Sequence, residues 1–236
     1  MNDEIYSRLP TAARRLVDEI EKATAIEIQV KSKADRSGGG HVVEVEEGVV
    51  GVLIGPDSIT IESPHDVSKI TDEDFVHELL HLHRTYVVNV PHLFPRQTKD
   101  GATAAGIENW LEHVVIYGRQ IRICDGLAQK LDTGLADFWS RCPWDAVGPT
   151  LKFNLISRYM VTHLYGGKLS KAAMKEAITT LALGYSIRDV ARRCMKTVSD
   201  KPKFAKSVLE FCEIPSKLFW LRRYDLKKRE FVWSPI

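Results

Sequence analysis

The sequence predicts an α+β fold, with a small, mostly antiparallel sheet early in the chain and helices over most of the remainder. Three patterns carry that expectation. Ile26, Ile28 and Val30 alternate with Glu27, Gln29 and Lys31, the two-residue period of a half-buried strand. Phe75, Val76, Leu79, Leu80 and Leu82 fall on one side of a helix that begins near Thr71. From Leu151 to Phe211, apolar residues recur at helical spacing with few interruptions.

The elements follow in order. Ala13, Leu16, Val17 and Ile20 make an amphipathic helix of Pro10 to Ala23, and the strand from Ile26 comes next. Ser37 to Gly40 is a flexible break, and His41–Val45 and Val49–Ile54 are further strand-forming runs. Gly55-Pro56-Asp57-Ser58 makes a turn, after which Ile59–Ile61 returns as a short strand. Thr71 suits the N-cap of the next helix, with Asp72, Glu73 and Asp74 in the first turn, where the helix dipole favours anions. That helix runs to about Val87. Asn89 to Gly101 holds two prolines and is expected to be a loop, and a second helix spans about Thr103 to Ile121. A looser stretch with Gly134, Pro143, Gly148 and Pro149 precedes four helices, 151–164, 170–183, 186–198 and 203–211. The expected organisation is a core of residues 1–125 and a helical region, 126–236, that completes it or forms a small appendage.

Composition excludes several classes. Hydrophobic residues make up 44% and charged residues 27%, enough apolar material for a packed core. A net charge of +2 makes no case by itself for a nucleic-acid binder. The four cysteines, Cys124, Cys142, Cys194 and Cys212, contain no C-x-x-C pair, so neither a zinc ribbon nor a redox dithiol is indicated. Reduced, mostly buried thiols are expected. No apolar run reaches about 18 residues, which argues against a membrane-spanning helix. The opening Met1-Asn2-Asp3-Glu4 lacks the basic and apolar segments of a signal peptide, so the expected location is cytoplasmic.

The chemistry centres on His77-Glu78-Leu79-Leu80-His81. Successive helix positions turn by about 100°, so His77 and His81 share a face and can converge on one metal ion at about 2 Å. Glu78 lies on the flank of that face, where a carboxylate can hold a metal-bound water and take its proton. The apolar residues on the opposite side would pack the helix into a core.

This stretch resembles the zincin metallopeptidases, and specifically the branch that takes a glutamate from a second helix as third ligand. The resemblance covers about residues 25–122. It implies a zinc-dependent hydrolase of peptide bonds in which His77 and His81 bind zinc and Glu78 is the general base. For the third ligand the chain offers Ile107-Glu108-Asn109-Trp110-Leu111-Glu112-His113. Glu112 is the expected ligand, Glu108 the alternative, and His113 the remaining candidate. His83 is expected to be a core histidine and His92 a solvated loop residue. Tyr117, Tyr159, His163 and Tyr165 are candidate donors to an oxyanion. The implied partner is a peptide or protein substrate.

Two other functions compete. Gly184 to Arg193 resembles the turn and first helix of some helix-turn-helix modules, and Lys217 to Arg229 interleaves basic and aromatic residues. Together they would suit a zinc-containing regulator that binds nucleic acid, although helix 203–211 lacks the polar face of a recognition helix. A zincin-like fold without catalysis, serving protein interaction, is the other alternative. Glu78 argues against it, because a purely structural site has no use for a base.

Overall fold

The computed structural model describes residues 1, 3–32, 51–54, 58–63, 70–97, 100–141, 149–181, 184–228 and 230–236. The expected break at Ser37–Gly40, the strand at His41–Val45, Cys142, Arg229 and most of the 55–58 turn lie outside these residues. The fold is α+β, and its chain divides into two compact units.

The first unit comprises Met1–Val90 and Tyr224–Val232. It holds α1 (Asp3–Arg8), α2 (Thr11–Thr24), β1 (Ile28–Ser32), β2 (Gly51–Ile54), β3 (Ile59–Ser63) and α3 (Asp72–Tyr86). Helix α2 buries Ala13, Leu16, Val17 and Ile20, the face its periodicity marks out, and packs on α3. Its C-terminus closes at Ala25, whose φ of 57° lets its N–H reach the Glu21 carbonyl. The sheet has order β1-β3-β2 and is mixed rather than mostly antiparallel. β3 lies parallel to β1, with Ile28 opposite Ile59, and antiparallel to β2, with Ile54 opposite Ile59. As the central strand, β3 is buried from Ile59 to Ser63. A period-2 pattern in sequence reports exposure of one face and is silent on strand direction, which is why the parallel pair was not legible.

The second unit comprises Pro91–Arg223 and Trp233–Ile236. Its helices are α4 (Gly101–Ile123), α5 (Leu127–Arg141), α6 (Pro149–Tyr165), α7 (Lys168–Thr180), α8 (Gly184–Thr197) and α9 (Lys201–Phe211). Leu111, Val114, Leu135, Trp139, Ile156, Met160, Ile187, Ala191, Phe204 and Val208 form its core. Helix α5 occupies the stretch expected to be loose. Gly134 costs a helix about 1 kcal/mol, but Leu135 and Trp139 on one buried face outweigh it, and Trp139 Nε1 donates to Thr162 Oγ1 on α6 at 2.8 Å. The N-terminus of α7 has its cap supplied from α5: Gly167 N and Ser170 N donate to Asp132 Oδ1 at 2.8 and 2.9 Å. A Cβ on Gly167 would run into the Asp132 carboxylate, so a side chain there would displace the cap.

Residues expected to be loop and tail form a second sheet of order β4-β5-β6, from β4 (His92–Pro95), β5 (Phe219–Asp225) and β6 (Glu230–Pro235). β4 runs antiparallel to β5. β4 lies at an edge of the sheet, the place where Pro95 costs no ladder bond. The interleaved residues of the tail are strand alternation: Phe219 and Leu221 are buried, and Arg222 lies over the Phe94 ring at 4.4 Å. In the helix-turn-helix-like stretch, α8 buries Ile187, Val190, Ala191 and Cys194, and α9 turns Phe204, Ala205, Val208 and Leu209 into the core. Cys124, Cys194 and Cys212 are buried and form no disulfide among the described residues. Among the described residues, no helix is long and apolar enough to cross a membrane.

Candidate metal centre

Helix α3 is fixed at its start by Thr71, whose hydroxyl accepts from Asp74 N at 3.1 Å. Phe75, Val76, Leu79, Leu80 and Leu82 are all buried, which sets the rotation of the helix about its axis. His77, Glu78 and His81 are left half-buried on the remaining arc. The two Nε2 atoms of His77 and His81 lie 3.2 Å apart, with the rings edge to face. Two imidazoles on one tetrahedral zinc at about 2.0–2.1 Å would have nitrogens about 3.3 Å apart, so the pair already stands at ligand spacing. Burial, reinforced by Asp74 one turn earlier, pushes the Glu78 carboxyl up to about 8. His83 is buried, with Nε2 2.7 Å from Glu19 Oε2 of α2. It is a core histidine with a partner.

Helix α4 carries the candidates for a third ligand. Glu112 is 1% exposed and accepts from Lys201 Nζ at 2.5 Å. Glu108 also takes Lys201 Nζ, together with Leu93 N at 2.8 Å and a 2.7 Å contact to His92 Nδ1. Burial raises the Glu108 carboxyl, but Lys201 and then His92 outweigh it and hold the group below the ordinary carboxylate range. Both glutamates are thus engaged with a buried ammonium. His77, His81 and His113 instead form a group whose ligand nitrogens lie within 4.8 Å of one another, and none of the three is exposed. This set could hold a metal ion. His92 is likewise no solvated loop residue, since it sits in β4 beside Glu108.

Lys201 and Arg158 were not singled out by sequence reasoning. One signal for Lys201 was available. A lysine at the first position of a helix opposes the helix dipole, and α9 begins there with Asp200 as its N-cap, so another interaction must hold the cation. Arg158 of α6 lies 4.2 Å above the Trp110 ring and 5.3 Å from that of Phe138. Trp110 and Tyr117 flank His113, with ring centroids 5.6 and 5.2 Å from it. Of the expected oxyanion donors, Tyr165 already donates to the Val114 carbonyl at 2.9 Å. Tyr159 is buried and stacked on His163, which is exposed. Tyr117 lies against His113, its phenol pushed up by burial and drawn back in part by Arg158.

No family model matches the chain, and no curated protein or solved structure is significantly similar to it.

Proposed function

We propose that this protein is a zinc-dependent hydrolase that uses His77, His81 and His113 as ligands and Glu78 as general base, with a peptide bond as its target. The observation that carries the proposal is the 3.2 Å Nε2 separation of two histidines on the helix face that also bears Glu78. Three imidazoles make a neutral donor set suited to zinc, copper, iron or nickel, and a carboxylate base beside them favours the hydrolytic metal, zinc. Zinc held there would polarise a carbonyl and bring a bound water to a pKa near 7. The protein's own part is then specific. His77 and His81 would bind zinc through unprotonated Nε2 atoms, held in place by the apolar backing of α3. Glu78 accepts the proton of the attacking water and returns it to the leaving nitrogen. Tyr117, whose ring centroid lies 5.2 Å from that of His113, is the candidate donor to a developing oxyanion. The choice of a peptide bond rests on the resemblance of residues 77–81 to zincins.

Purified protein kept from chelators is expected to carry about one zinc per chain by elemental analysis. His113→Ala is expected to weaken zinc by about two orders of magnitude or more in competition with a chromogenic chelator. Glu112→Gln, with the fold checked by circular dichroism, should keep most of that affinity. Loss of metal in Glu112→Gln and retention in His113→Ala would return the third position to the carboxylate.

A further inference from the structure

Arg158 has no oxygen partner among the described residues. Its Nε is buried and makes no hydrogen bond, and no carboxylate of the described residues forms an ion pair with its guanidinium. Three other cations stacked on rings in this unit stand beside an oxygen. Arg96, over Trp220, also donates to the Phe219 carbonyl. Lys152, over Phe211, pairs with Glu213 at 2.6 Å. Arg188, over Tyr185, has Asp189 at 3.8 Å. Arg158 has the faces of Trp110 and Phe138, with the neutral phenol of Tyr117 nearby and no charged partner among the described residues. Ring faces return less to a cation than desolvating a charge costs. A half-buried guanidinium held this way keeps five donors in a planar fork that matches a carboxylate edge to edge.

Its position gives that fork a use. Trp110, on which it stacks, is also in ring contact with His113, three residues further along α4. One ring therefore separates the guanidinium from a candidate metal ligand. That places it at most about 10 Å away, two or three residues of extended chain at about 3.4 Å each.

We propose that Arg158 binds a carboxylate of the substrate, so that the substrate class is peptides with an anionic group within about three residues of the bond that is cut. The carboxylate belongs either to the chain's C-terminus or to an acidic side chain. The proposal deepens the hydrolase reading, but carboxylate binding itself needs neither zinc nor turnover.

The test is therefore a binding measurement on the whole protein, with and without chelator. Three probes are titrated by calorimetry: N-acetyl-Ala-Leu with a free C-terminus, its C-terminal amide, and N-acetyl-Ala-Glu amide. Wild-type protein is expected to prefer at least one of the two acids over the neutral amide by about tenfold or more, with chelator present. Arg158→Met, which keeps the apolar contact with Trp110, should abolish that preference and leave binding of the neutral amide unchanged. Arg158→Lys keeps the charge but not the fork and should retain only part of it, which covers the case in which Arg158→Met does not fold. A preference for the first acid alone assigns the C-terminal carboxylate, and a preference for the third probe assigns an acidic side chain. Equal binding of acids and amide, no binding of any probe, or a preference that survives in the Arg158 variants overturns the proposal. Absence of peptide cleavage with the preference intact would sink the hydrolase reading and leave this one standing.

Discussion

Glu78→Gln is expected to lower peptide cleavage by about two to four orders of magnitude while zinc content and fold stay as they are. Digestion of a mixed peptide library, read by mass spectrometry, would show this. Cleavage at the wild-type rate in a variant with full metal content would remove Glu78 from the mechanism. The same substitution should also raise the stability of the metal-free protein. Burial and Asp74 lift the Glu78 carboxyl to about 8, well above its ordinary value. A carboxyl with a raised folded-state pKa adds no penalty below the unfolded value. Its cost then grows as pH rises between the two values, because the unfolded chain releases the proton first. Glutamine carries no such cost. In chelator, the variant should therefore gain on the wild type from about pH 5 to pH 8, by up to roughly 4 kcal/mol at about 1.4 kcal/mol per pKa unit. Zinc should close the gap, since a cation beside the carboxylate favours its charged form. Urea denaturation across that pH range, with chelator and with zinc, checks both statements. A gap that is flat with pH would contradict them.

Lys201→Met is expected to cost about 3–5 kcal/mol, because it removes the cation from two buried carboxylates and leaves them facing each other. The variant's deficit should shrink as pH falls towards 4–5, where one of the two takes a proton and the repulsion ends. Adding Glu112→Gln should recover part of the loss, and the double-mutant cycle measures the Lys201–Glu112 coupling. A loss below about 1 kcal/mol at neutral pH would mean the cluster is freely hydrated. The effect is structural as well as chemical. Lys201 ties α9 to α4, the helix that presents His113, and Glu108 ties the same helix to β4 through His92 and Leu93.

What could be read from sequence divides along physical lines. The faces of α2 and α3, the Thr71 cap and the backing of the histidine pair were legible because helix periodicity is a local property. The direction of β1 against β3 and the strand identity of residues 92–95 and 219–225 were not. Each depends on a partner far along the chain, and prolines at 91 and 95 disguised an edge strand as a loop. The proposed third ligand shows the limit most clearly. Glu112 and His113 are neighbours, so they differ by about 100° around α4, and only the rotation of that helix decides which of them faces a metal. The buried apolar residues of α4 and the Lys201 contact to Glu112 accompany that rotation, and no spacing within residues 107–113 reveals Lys201. Arg158 was missed for a similar reason: its stacking between Trp110 and Phe138 is a fact about three helices at once.

The cap that Asp132 places on α7 gives the second unit a particular order of assembly. Most helices carry their start signal within their own first turn and can begin to form alone. α7 has Gly167 as its N-cap, a residue with no side chain to offer, and N–H groups at its start close on a carboxylate 35 residues before Gly167. The first turn of α7 is therefore secured only when α5 is already a helix and already in place. The two should open and close as one cooperative unit, with amide protons at both ends of the Asp132 contact exchanging at a common rate.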